Sequence, residues 1–266
     1  MISKIKKTII VLIMILMILP CSSYAAYVRP NHFMDKKGWE RIHEIKKFQA
    51  LHNLTVTGKL DENTKKMLRN DKMFVKDTIT SPPSTGPWIA VNKTQKILTF
   101  YSGTSPKYKF PVALGTSETP TPSAKTKIVN KAKNPAWGGM GGKYTPTQAD
   151  DPKNPLGERW MGLGLTGYGI HGTIYPKQIG GYVSNGCIRM FNYDIETFIF
   201  PNSKVGMPVW LGTDEELRAW GVSQDWGEMV EKPKEDAKTE KTEKTEKKQE
   251  VKPVEEEIIV KENLIF

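Results

Sequence analysis

Hydrophobic and polar positions divide this chain into stretches of different period. Residues 9–19 are apolar without a break and follow a basic start at Lys4, Lys6 and Lys7. These eleven residues fall short of the roughly 20 that a helix needs to cross a bilayer. Pro20 ends the run, and Ser23-Tyr24-Ala25 then offers a small-x-small cleavage site. Residues 1–25 therefore read as the signal peptide of a secreted, extracytoplasmic protein that meets the membrane only transiently. A retained anchor is the competing reading. Lipid attachment at Cys21 is disfavoured, because Pro20 stands where a small residue is needed.

From 39 to 53 the period becomes helical, with Ile42, Ile45, Phe48 and Leu51 as an apolar stripe among charges. A turn follows at Thr57-Gly58, and Asp61 is placed to cap a second helix over 62–69 that buries Met67 and Leu68. Two short helices bury little, so 27–73 predicts a small all-α module. The prolines of Ser81-Pro82-Pro83-Ser84-Thr85-Gly86-Pro87 deny ladder hydrogen bonds, and 74–87 read as a linker. Beyond it, 88–91 and 96–101 predict a hairpin about Asn92-Lys93. Further short strands are expected at 108–114, 127–129, 160–165, 168–170 and 207–211. Only 193–200 and 215–220 look helical. Residues 88–212 thus predict a mainly β domain, and 213–230 a helical C-terminal extension. In 231–266 the triplet Thr-Glu-Lys recurs at 239, 242 and 245. A repeat without core-forming residues cannot offset its ordering entropy, so this charged tail is expected to be disordered.

Charge changes the picture slightly. The formal net charge is +10, and the tail holds 9 Lys against 11 Asp plus Glu, so the basic excess lies in the rest of the chain. Export directs such a surface towards wall polyanions and anionic head groups rather than nucleic acid, although solubility alone accounts for it equally well. Cysteine usage is more telling. Cleavage after Ala25 removes Cys21 and leaves 241 residues with one thiol, Cys187. A lone exported cysteine has no intramolecular disulfide and is either partner-seeking or reactive.

Of four histidines, His32, His43 and His52 precede the linker; the β region holds only His171, sixteen residues before Cys187. Both sit in marked surroundings: Tyr168-Gly169-Ile170-His171-Gly172-Thr173 and Ser184-Asn185-Gly186-Cys187-Ile188-Arg189. A free thiol with a pKa of about 8.5 is mostly protonated at neutral pH. An imidazole within reach would take its proton, and Arg189 would stabilise the thiolate. Gly186 would let the backbone approach a reacting carbon, with N–H groups around Gly186 and Cys187 aimed at a developing oxyanion. If Cys187 opens the helix near Tyr193, the helix dipole would lower its pKa further. Either residue alone reads as core packing; together they predict a cysteine nucleophile with a histidine base.

These residues resemble the L,D-transpeptidase catalytic domain family, whose signature is a His-Gly-Thr strand followed by Ser-x-Gly-Cys with Ile or Val and Arg or Asn after it. Here it is His171-Gly172-Thr173, then Ser184-Asn185-Gly186-Cys187-Ile188-Arg189. Thr119-Pro120-Thr121-Pro122, Lys133-Asn134-Pro135-Ala136-Trp137 and Asn154-Pro155-Leu156-Gly157 extend the resemblance. Asn185 departs from the histidine that many members carry there. The resemblance implies a β-sandwich catalytic domain and a Cys187–His171 pair, with the Gly172 carbonyl orienting the histidine. The implied substrate is the peptidoglycan stem, attacked between an L centre and a terminal D-alanine. Phe48-Gln49-x-x-His52-Asn53-Leu54, followed by Val56-Thr57-Gly58-Lys59-Leu60-Asp61-x-x-Thr64, is similar to the helical peptidoglycan-binding repeat, with Thr57 where Asp is common.

Other motifs carry no chemistry. Gly162-Leu163-Gly164-Leu165-Thr166-Gly167 fits GxGxxG, but strand rather than helix continues from it. Gly138 to Lys143 misses the phosphate-loop spacing and reads as a lid beside the cleft. One histidine and one cysteine are too few for zinc. Trp88, Trp160 and Trp210 read as core, and Trp137 as a substrate contact alongside Tyr168.

The expectation is a cofactor-free peptidoglycan L,D-transpeptidase: Cys187, His171, Gly172 and Arg189 catalytic, Gly186 and Ser184 shaping the oxyanion site, stem peptides and glycan as partners. An L,D-carboxypeptidase or thiol amidase is the rival enzyme, and a wall-binding protein the rival outside enzymes.

Overall fold

A computed structural model of the chain describes residues 33–70 and 73–228. The expected signal peptide at 1–25 and tail at 231–266 lie outside these residues.

Two helices form in the described part of the stretch read as a module. Helix α1 (Gly38–Leu51) and helix α2 (Glu62–Arg69) close a small core of Phe33, Ile45, Phe48, Leu54 and Met67. Burying a side chain of this size contributes roughly 1.5–3 kcal/mol. Asp61 caps α2, accepting from the Thr64 N–H at 2.9 Å. The fully buried Gln49 accepts from the Thr57 and Gly58 N–H groups, both at 2.8 Å, and so shapes the turn between the helices.

Strand β1 (Met73–Ile79) takes the first six residues, 74–79, of the stretch expected as a linker. It pairs antiparallel with a strand near the far end of the described chain, from Met73↔Glu228 to Ile79↔Val222. A local pattern cannot show a pairing across some 150 residues, and only 80–86 remain irregular. The region then unfolds in sequence as β2 (Pro87–Asn92), β3 (Ile97–Ser102), β4 (Ser105–Pro111), β5 (Leu114–Gly115), β6 (Ala124–Lys133), β7 (Arg159–Leu163), β8 (Gly169–His171), β9 (Tyr182–Ser184) and β10 (Ile188–Arg189). A helical segment α3 follows in three joined pieces, Asn192–Asp194, the wider-turned Ile195–Ile199 and Phe200–Asn202. After it come β11 (Pro208–Gly212), helix α4 (Asp214–Ala219) and β12 (Val222–Glu228), the partner of β1. The expected helical extension is thus one capped helix and then a strand.

Eight strands form one sheet in the order β10-β8-β7-β6-β11-β2-β3-β4, with β10–β8 and β11–β2 parallel and the rest antiparallel. One apolar cluster takes Ile188 and Ile170 from one end of this sheet and Leu98 and Phe110 from the other, together with Ile195 and Ile199 of α3. Opposite ends meet in one core only if the sheet curls around it. The mainly β expectation holds, and the domain takes the form of a single curled sheet packed with α3; the remaining pairs, β1–β12 and β5–β9, are two-stranded.

The module is docked. The His43 ring meets Phe191 edge-on, centroids 4.4 Å apart, and Trp39 packs on the buried Ala113, Ile179 and Phe191. The Val56 N–H donates to the Gln95 carbonyl at 2.9 Å. Asp77 of β1 forms a buried ion pair with Lys109 of β4 at 2.7 Å, and Lys109 also donates to Asn53 at the end of α1.

Candidate active site

Three strands bring the predicted residues to one face. His171 is the register partner of Trp160 on β7 and of Arg189 on β10. Side chains alternate along a strand with period two, so Gly169 shares this face, and Cys187, just before β10, comes beside it. Gly169 leaves room for a neighbour: a Cβ there would lie 2.4 Å from the Trp160 ring. That ring stacks on His171 with centroids 5.8 Å apart, and its Nε1–H donates to Asn130 Oδ1 at 2.9 Å.

His171 is 3% exposed, and its Nδ1 lies 2.7 Å from the Gly172 carbonyl oxygen. A carbonyl only accepts, so Nδ1 carries the proton and Nε2 is left as the basic nitrogen. Burial, and then the charge of Arg189, hold the imidazole at about 4. Burial also pushes the Cys187 thiol up, against the opposing influence of the Gly169 backbone and Arg189. The resting pair is therefore a neutral imidazole and a neutral thiol.

Burial thus opposes the acidifying influence expected of Arg189, and the expected helix dipole does not act on this thiol. Cys187 leads into a strand, not a helix, and α3 begins only after Phe191. Its Sγ–H is directed at the Gly167 carbonyl, 3.5 Å away.

The loop before Cys187 is braced from within. Ser184 Oγ donates to the Cys187 carbonyl at 2.7 Å and accepts from the Gly186 N–H at 3.0 Å. The Gly186 N–H, expected to face an oxyanion, is thus already engaged. Gly186 has φ +105°, and a Cβ on it would lie 2.4 Å from Tyr168. Tyr168 therefore packs against Gly186 and is not among the residues lining the cavity.

Two threonines of the Thr-Pro-Thr-Pro stretch have a role that sequence did not assign. Thr119 Oγ1 donates to the Ser184 carbonyl at 3.1 Å. Thr121, buried, donates to the Gly186 carbonyl at 2.8 Å and accepts from the Gly115 N–H at 3.0 Å. Asn192 was also missed: its Oδ1 accepts from the Thr173 N–H at 2.7 Å and lies where a Cβ on Gly172 would fall, 2.3 Å away. Gln178 accepts from Arg189 Nη1 at 3.0 Å. Nothing in the local sequence separates these from ordinary polar loop residues.

His171, Cys187 and Arg189 open onto a cavity of about 400 Å³, whose other walls include Trp137, Met140, Leu156 and Trp160. Residues 138–147 cover one side. Trp137 and Thr147 bridge the base of this loop, and Gly139 to Gly142 run with positive φ, Met140 included at 55°. Tyr144 lies against Trp137, centroids 5.6 Å apart, and Asn185 Nδ2–H reaches its hydroxyl at 3.4 Å. The covering loop thus touches the residue two before Cys187.

Residues 86–211 match the model of the L,D-transpeptidase catalytic domain. YqjB of Bacillus subtilis strain 168, named a candidate L,D-transpeptidase, is 33% identical over 133 residues, 48% of this chain and 72% of that protein. YkuD of the same organism, named likewise, is 38% identical over 114 residues, 42% of this chain and 59% of that one. A solved L,D-transpeptidase from Mycobacterium tuberculosis H37Rv overlaps 48% of this chain and 58% of its own at 18% identity and a TM-score of 0.39.

Proposed function

Because this chain belongs to the L,D-transpeptidase catalytic domain family, we propose that it cross-links peptidoglycan stems through a thioester on Cys187. The observation that carries the reading is His171 locked at Nδ1 by the Gly172 carbonyl and opening with Cys187 onto one cavity. The donor stem lies in that cavity with its L,D bond at the thiol. His171 Nε2 takes the thiol proton as sulfur attacks the carbonyl carbon. With the Gly186 N–H engaged by Ser184, the Cys187 N–H is the donor left for the oxyanion, and Arg189 adds positive charge. An imidazole held at about 4 becomes, once protonated, a strong acid. It gives the proton to the departing amine of D-alanine, so the intermediate collapses forward. An amine of a second stem then attacks the thioester, His171 again takes the proton, and Cys187 is restored.

We also read the chain as exported to the wall, on the pattern of Lys4 to Ala25, and α1–α2 as a glycan contact, on the motif at 48–64. The covering loop favours transfer over hydrolysis. Water at about 55 M outnumbers any amine, so a transferase must shield its thioester. Tetrapeptide muropeptides offered with increasing amine acceptor should give cross-linked dimer while free tripeptide falls and D-alanine release continues. Tripeptide as the only product at every acceptor concentration would make the enzyme an L,D-carboxypeptidase.

A further inference from the structure

A line of contacts runs from the helical module into the cavity. Lys46 of α1 is 6% exposed, unusual for a lysine. Its ammonium lies over the Trp39 ring, 5.1 Å from the centroid. It donates to the carbonyls of Ile179 and, at 3.2 Å, Lys177. Those carbonyls flank Gln178, in the short turn Pro176–Gln178. The fit around Lys46 is close: a Cβ on Gly58 would lie 2.9 Å from its Cε, and one on Gly180 would lie 3.5 Å from it.

Gln178 in turn accepts from Arg189 Nη1 at 3.0 Å. The Arg189 backbone is held independently, exchanging two 2.9 Å hydrogen bonds with Ala113. Only its side chain is left to be oriented. Among the described residues Gln178 supplies the one side-chain hydrogen bond to that guanidinium, whose Nε is buried without a partner. The far end of the turn is secured by the sheet, with Gly180 donating to Val112 and Leu114 to Gly181. Lys46 secures the near end, where Gln178 stands.

We propose that Lys46 and Gln178 are positioning residues, through which the helical module sets the direction of Arg189 at the reacting cysteine. This rests on the reading of Cys187 as the nucleophile. The titratable groups facing the guanidinium are His171 on the sheet, Cys187 just before β10, Tyr175 just before the turn and Tyr144 on the covering loop. A guanidinium released from Gln178 favours the thiolate less, and the effect falls on the chemical step rather than on stem binding.

The test uses the full chain with Lys46→Met, Lys46→Arg, Gln178→Leu and Cys187→Ala. Turnover of tetrapeptide stems is measured with the pH dependence of iodoacetamide alkylation at the Cys187 peptide. Lys46→Met and Gln178→Leu should each lower kcat about tenfold with KM changed less than about twofold, the signature of a contact that matters in the transition state. Alkylation should shift to higher pH in both, and Lys46→Arg should restore most of the loss. Gln178 is exposed, so Gln178→Leu should melt with the parent and decides the matter if Lys46→Met fails to fold. Parental kcat and an unshifted alkylation profile in Gln178→Leu would overturn the inference while leaving the nucleophile in place. Product formation by Cys187→Ala would overturn the catalytic reading, and the inference with it.

Discussion

Burial acts on the titratable residues in opposite senses, and the consequence can be measured. Asp194 is 2% exposed, its Oδ2 has no hydrogen-bond partner among the described residues, and burial raises it from 3.8 to about 6. Between those values the folded chain binds more protons than the unfolded one, so this group's contribution to stability falls as pH rises. His171 and His52 are lowered by burial from 6.5 to about 4. There the unfolded chain binds more protons, and stability is lost as pH falls through the same range. Asp194 thus offsets part of the acid sensitivity of the histidines. Asp194→Asn should gain about 1–3 kcal/mol at pH 7 by removing an unpaired buried charge, and its melting temperature should then drop more steeply than the parent's from pH 6.5 to 4. A loss of stability at pH 7 would refute this assignment. Cys187 and His171 were legible in the sequence because each is alone of its kind in the β region and sits in a marked motif. The direction of their titration was not, since desolvation depends on strands that pack around them from elsewhere.

At the level of elements, local period served well where neighbours in sequence are neighbours in space. Helix α2, the β2–β3 hairpin and α4 lie within a residue or so of expectation, each marked by a stripe, an alternation or a cap. It failed for β1 and β12, which find each other across the whole domain, and for β9 and β10, too short to show a period. The covering loop was legible from its glycines, but its anchor was not. That anchor is the Tyr144 hydroxyl on Asn185, a single long hydrogen bond, worth at most about 1 kcal/mol. Tyr144→Phe should therefore raise the tripeptide share of the products by about threefold, matching a loss on the order of 0.7 kcal/mol in loop closure. Deleting Gly139 to Gly142 should raise it further. An unchanged ratio in both variants would mean that the loop does not shield the thioester.

Across the whole molecule, the largest departure from expectation is that the helices pack directly on the β region. Sequence shows a module and a proline-rich stretch, which suggests a tether; the buried Lys46, the Asp77–Lys109 pair and the Phe191 contacts are made between distant segments and leave no local trace. The β1–β12 ribbon has a further, mechanical consequence. Met73 and Glu228 are partners at one end of a seven-pair antiparallel ladder, so the backbone enters and leaves the catalytic region side by side. Tension applied across these two points peels the ladder one pair at a time instead of shearing all pairs together. The ribbon then yields before load reaches the curled sheet, as a fuse opens before the circuit it guards. Opening seven pairs lengthens the span by about 40 Å at roughly 3.4 Å per residue. Single-molecule pulling from residues 73 and 228 should show that short, low-force step ahead of the main rupture; a single rupture with no step before it would show that the ribbon and the sheet fail as one.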